Sequence, residues 1–379
     1  MKESDTSTTP ASEGTKRAYT LRDLCALLAL LVLLVCIPLI WNALSDTPAS
    51  APAVVDLVSL DEAMQQGNYE SAIASLQAIQ ADANASADEK ARAVIYTLGA
   101  ARALGDTSAV ANDVRTLKAT IAANNVAPAV KSELIDKLVG QLSISGNDPA
   151  IYDLVFADAP FAAYRVAGDD RRSLMNLSLW SLEISPSPVA AISLARWHSQ
   201  PSVPWAGGSE AVSEESARDA VTYLALADEL ADAASANDAS YAARGNYYFY
   251  LFWRAVVVGR LAEILGEPYE SQVRAKFDEF IALAEERPAL RAREWLSFAR
   301  YWYAVSLVRE AETEAAREQL DRLSEEIAIV PKKETNSFIL NIRDQYERKG
   351  EGWETITAFA AISPAFKSTI EGIIGASLE

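Results

Sequence analysis

Residues 24–41, from Leu24 to Trp41, read LCALLALLVLLVCIPLIW: 18 residues without a charged or amide side chain. At about 1.5 Å per residue a helix of this length covers roughly 27 Å, close to the ~30 Å hydrocarbon core of a bilayer. Backbone polar groups cannot stay unpaired in lipid, so the stretch reads as a transmembrane helix. Thr20 and Asp23 just before it fit a helix-capping pair. The chain is thereby divided into a short polar tail (residues 1–23), an anchor (24–41) and everything beyond.

Lys2, Lys16, Arg17 and Arg22 precede the anchor, and after it no Lys or Arg occurs until Lys90. Basic residues beside a span stay cytoplasmic, which predicts a cytoplasmic N-terminus and an extracytoplasmic bulk; in a bacterial cell these are the two sides of the inner membrane, with the bulk in the periplasm. A cleaved secretory signal has an apolar core of about 7–15 residues with a small-residue site close behind. Here the core is longer, and Ala49-Ser-Ala51 lies well past Trp41. Cys36 sits mid-span behind Val35, a poor lipoprotein signal. An uncleaved signal anchor is the expectation.

The formal net charge is −18, while the tail and anchor carry four basic residues against Glu3, Asp5, Glu13 and Asp23. The acidity therefore belongs to the exported part, which argues against nucleic acid and against docking on anionic lipid. Cys25 and Cys36 are the only cysteines and both fall in the anchor, so the exported part has no disulfide. It must be held by its core, and half of all residues are hydrophobic.

Residues 42–54 (NALSDTPASAPAV) form a Pro/Ala/Ser linker. Beyond it the pattern is helix after helix. Ser59-Leu-Asp-Glu62 and Ser86-Ala-Asp-Glu89 are capping boxes, and Ser363-Pro364 opens a last helix through Ile374. Between the boxes stands Gly67-Asn-Tyr69-Glu-Ser-Ala72-Ile73-Ala-Ser-Leu76. This segment resembles the tetratricopeptide repeat, in which a glycine closes the first helix, a tyrosine opens the second and an alanine lets the two approach. Leu76 and Ile79 continue its apolar stripe. Leu98-Gly99 to Leu104-Gly105-Asp106, Gly266-Glu-Pro-Tyr269, Tyr301 to Val308 and Gly350-Glu-Gly-Trp353 repeat parts of the pattern, and Pro288 and Pro331 punctuate it. The spacing is longer than the family's ~34 residues. The resemblance implies an all-α fold: a single N-terminal transmembrane helix followed by a tetratricopeptide-like solenoid. Repeats are expected over residues 55–145 and 214–379, with an irregular helical middle region over 146–213. Subdomain boundaries are placed near 146–170 or in the Pro/Gly-rich stretch between Ser199 and Ser213.

Reaction chemistry is sparse. His198 is the only histidine, no cysteine is exported, and no serine-nucleophile elbow or phosphate-binding loop is present. The expectation is no enzyme, no cofactor and no metal. Glu214-Glu215, Glu285-Glu286 and Glu325-Glu326 read as solvated helix faces, although a glycan-cleaving pair could be drawn from such carboxylates. His198 beside Trp197 reads as a helix-end residue. The run Tyr247-Tyr-Phe-Tyr-Leu-Phe-Trp253 covers every side of a helix and implies burial on more than one face. Tyr247, Tyr250 and Trp253 share one side with Arg254, while Tyr248, Leu251 and Phe252 share another. Two readings are open: repeat-to-repeat core, or a groove in which Tyr247, Tyr248, Tyr250, Phe252, Trp253 and Trp302 bind a protein partner. The expected function is a membrane-anchored interaction scaffold for an envelope or translocon-type complex. A cell-wall glycan enzyme or its regulator, and a ligand-binding sensor, are the rivals.

Overall fold

The computed structural model describes residues 68–104, 106–144, 149–200, 212–237, 245–286, 292–330, 336–349 and 351–378. The tail, anchor, linker, Ser59–Glu62 box, Gly105, Pro288, Pro331, Gly350 and most of the Pro/Gly-rich stretch after Ser199 lie outside those residues. Among the described residues there are fifteen α-helices, one short 3₁₀ turn and no strand. None of these helices is long and apolar enough to cross a membrane. Residues 1–54 and 55–379 are two units, and every helix below belongs to the second.

Local chemistry sets where the helices begin. α1 (Tyr69–Ala81) opens at the tetratricopeptide-like tyrosine. The Ser86 N–H donates to the Glu89 carboxylate at 2.7 Å and the Glu89 N–H donates back to Ser86 Oγ at 3.1 Å, a closed capping box that starts α2 (Ala87–Ala103). Ala72 and Leu76 of α1 are buried against Ala93 and Ala100 of α2, small residues that permit close approach. Asp106 caps α3 (Thr107–Ala122) by accepting from the Ala109 N–H. α4 (Pro128–Ile144) and α5 (Pro149–Phe156) each open on a proline, whose fixed φ suits a first helical turn. A 3₁₀ turn (Phe161–Tyr164) leads to α6 (Asp170–Ile184), capped by Asp169. Ser187 and Pro188 start α7 (Pro188–Ser199).

The C-terminal half contains α8 (Glu214–Asn237), α9 (Gly245–Leu265), α10 (Glu270–Glu286), α11 (Ala292–Arg309), α12 (Thr313–Ala328), α13 (Ser337–Arg348), α14 (Glu351–Ile362) and α15 (Pro364–Ile374). Gly266, at φ +70°, ends α9 in the left-handed region that favours glycine. Ser363 Oγ accepts from the Phe366 N–H at 2.9 Å and caps α15.

Sequence neighbours pack in pairs, and each pair also meets the next-but-one helix. α2 lies on α4 and α4 on α6; then α7 lies on α9, α9 on α11 and α11 on α13. This alternation is the packing of a helical-hairpin repeat. The leading helices start at residues 87, 128 and 170, then 188, 245, 292 and 337, wider than the ~34-residue tetratricopeptide period except at one place. There α6 and α7, adjacent in sequence, both belong to the leading series, so the alternation slips by one helix. The core changes at the same place. Trp197 packs with the N-terminal core, whereas Ala191, Ile192 and Ala195 pack with the larger C-terminal one. Every residue of α7 except His198 is buried. The change of core thus falls at α7, beside the second expected boundary and after the first.

Candidate functional site

The aromatic run opens α9, which is flanked by α7, α8, α10 and α11. Four neighbours leave little of a helix facing water. Tyr248, Tyr250, Phe252 and Trp253 are all under 5 % exposed. Phe252 meets Trp253 at 4.9 Å, Trp295 at 4.9 Å and Phe280 at 5.6 Å between ring centres. The Tyr250 hydroxyl donates to Asp228 of α8 at 2.6 Å, and burial pushes its pKa up. Arg254, one turn on, lies 3.1 Å from both Asp228 and Glu279. Of the two readings of this run, core describes Tyr248, Tyr250, Phe252 and Trp253. Of the six aromatic candidates, only Tyr247 and Trp302 remain half-buried with surface to offer.

The other candidates are held by structural contacts. His198 stands in the last turn of α7, where burial lowers its pKa and Tyr223 stacks on it at 5.4 Å. Ser216 and Asp219 both approach the same ring nitrogen, Nδ1, at 3.4 and 3.6 Å, and the Ser216 hydroxyl donates to the His198 carbonyl at 2.8 Å. A serine relay needs the two on opposite ring nitrogens, so these three do not form one. Glu285 and Glu326 both bind the buried Arg300, and Glu214 pairs with Arg218. Burial raises the pKa of Glu326, opposed by Arg300. Among the described residues no group of three His, Cys, Asp or Glu side chains is placed to hold a metal ion.

A cleft of about 340 Å³ is shared by α1, α2 and α3. Ile73, Val94, Ala101 and Ala109 give it an apolar floor, while Gln77, Asn112 and Asp113 stand among its polar lining. Asp113 is the one charged residue lining it, and burial raises its carboxyl pKa. The volume is at the lower end for ligand pockets, enough for one or two side chains. Amides beside an apolar floor can hydrogen-bond an extended backbone while a side chain enters below. The lack of any lining Lys or Arg disfavours an acidic guest.

Sequence reasoning missed this cleft. Its signal is the i, i+4 pair of Ile73 and Gln77 inside the tetratricopeptide-like motif, which puts one apolar and one amide group on the same face of α1. No known protein family, characterised protein or solved structure matches the chain.

Proposed function

We propose that the chain is a membrane-anchored interaction scaffold, tethered through residues 24–41, whose tetratricopeptide-like helical unit takes a neutral or basic segment of a partner protein in the α1–α3 cleft. The observation that carries this reading is the cleft itself, an apolar floor with amide groups and a single carboxylate on adjoining helices of a hairpin array. The acidity of the exported part favours the same class of partner. One glutamate of each pair that a glycan-cleaving reading would draw on, Glu214, Glu285 and Glu326, is engaged by an arginine.

Site-specific photo-crosslinking in native membranes tests the cleft. A crosslinker at Gln77 should give one dominant adduct, and a crosslinker at the exposed Glu229 of α8 should not give it. Equal adducts from both positions would contradict a cleft-borne partner. The tether has its own test. Protease added to intact spheroplasts should digest residues 55–379, because the basic residues lie before Leu24. Digestion only after lysis would reverse the orientation.

A further inference from the structure

We propose that the C-terminal turn of α7 is a binding site for a small carboxylate, held by the edge of the Arg196 guanidinium with the Trp197 indole N–H and the Gln200 side-chain amide. Arg196 is 4 % exposed, and its guanidinium lies over the rings of Trp197 at 4.3 Å and Trp253 of α9 at 3.8 Å. No acidic side chain pairs with it among the described residues, and burial alone pushes its pKa down to about 9. Arg196 Nε, Trp197 Nε1 and both polar atoms of the Gln200 side chain are buried without a hydrogen-bond partner among the described residues.

The rest of the molecule shows how this chain ordinarily accommodates a buried arginine. Arg300, 2 % exposed, is held by Glu285, Glu326 and Gln319, and Arg254 by Asp228 and Glu279. Arg196 is the exception. The carbonyl end of α7 and two indole faces favour a cation there, but neither supplies acceptors for the N–H groups left over. Among these unpartnered atoms donors outnumber acceptors, which favours an anion as guest.

With indole rings 4.3 and 3.8 Å from the guanidinium carbon, the unpartnered Arg196 Nε–H is the group left to meet one carboxylate oxygen, and the Trp197 N–H and Gln200 amide are the donors left for the other. The Arg171 guanidinium donates to the Trp197 carbonyl at the same turn, so inorganic phosphate is the rival guest that the test separates from a carboxylate. Because Trp253 belongs to α9, the guest would also tie α7 to the aromatic core.

The test titrates the full-length protein in detergent with sodium acetate, with sodium chloride and inorganic phosphate at matched ionic strength as parallel arms, reading melting temperature. Acetate should raise the melting temperature saturably, by roughly 2–4 °C at ten times its Kd. Arg196→Met should abolish the rise, and without acetate should melt higher than the parent because an uncompensated cation is gone. Gln200→Leu, which leaves the cation in place, should weaken acetate roughly tenfold and keeps the test decisive if Arg196→Met fails to fold. The proposal is overturned if acetate gives no saturable rise, or if chloride gives an equal one. It is also overturned if phosphate binds and acetate does not, or if the variants respond like the parent.

Discussion

Phe252→Ala should destabilise the helical unit by about 3–5 kcal/mol, the cost of a cavity where a buried aromatic ring stood. Phe252 is 2 % exposed and joins three helices through rings: Trp253 on its own helix, Phe280 on α10 and Trp295 on α11. Collapse around the missing ring would require all three to move together, which puts the cost toward the upper end. Against a usual domain stability of about 5–15 kcal/mol, the loss is a large fraction of the whole. Chemical denaturation followed by far-UV circular dichroism measures it. A shift below about 1 kcal/mol would mean that the ring lies on a surface after all, and would restore the groove reading for this face of α9.

Asp136 predicts a pH dependence of comparable size. It lies on the buried side of α4, accepts from Ser181 Oγ of α6 at 2.7 Å and from Ser187 Oγ, the cap of α7, at 3.0 Å. Ser132 joins the same cluster, 2.8 Å from Ser181 Oγ. Among the described residues no cation contributes to its titration, and Glu133 on its own helix adds a like charge. Burial, the main cause, pushes its pKa up to about 7, opposed by the two hydroxyls. An acid whose folded pKa lies above its unfolded value near 4 holds its proton more tightly in the folded state. Stability should therefore fall by about 1.4 kcal/mol per pH unit between pH 4 and 7, about 4 kcal/mol in all, and level off above. Asp136→Asn should remove that slope and be the more stable form at pH 8. His198, whose pKa is lowered by burial, contributes the opposite slope near its own titration, but it does so in both proteins and cancels in the difference. A parent-minus-variant difference that stays flat from pH 4 to 8 would show that the carboxyl is solvated.

Helix boundaries were legible wherever capping chemistry is local. The Ser86–Glu89 box and Ser363 before Pro364 each act within one turn, so the residues alone place the helix. Neighbour relations were not legible in the same way. The run from Tyr247 to Trp253 signals burial on more than one face, but the number of helices around α9 is a property of the packing, and four neighbours bury all of the run except Tyr247 and Phe249, which stay partly exposed. Nor does the sequence announce the slip at α6–α7, because Asp169 and Ser187 cap those helices like any others. The polar residues that matter were hidden by the habit of reading charge as surface. Arg196 is the one charge inside PVAAISLARW, and that composition is its only sign. Asp136 follows Ser132 by four residues, which aligns both on one face of α4 toward Ser181.

The most direct measurement of the scaffold reading is the Gln77 crosslink yield in an Ala109→Trp background. Ala109 lines the floor of the cleft in the first turn of α3, at a half-buried position where an indole can extend into the open volume. The account predicts that A109W keeps the melting temperature of the parent within a few degrees and loses most of the Gln77 adduct. An unchanged adduct in a folded A109W protein would contradict it, because the partner would then be held somewhere other than the cleft.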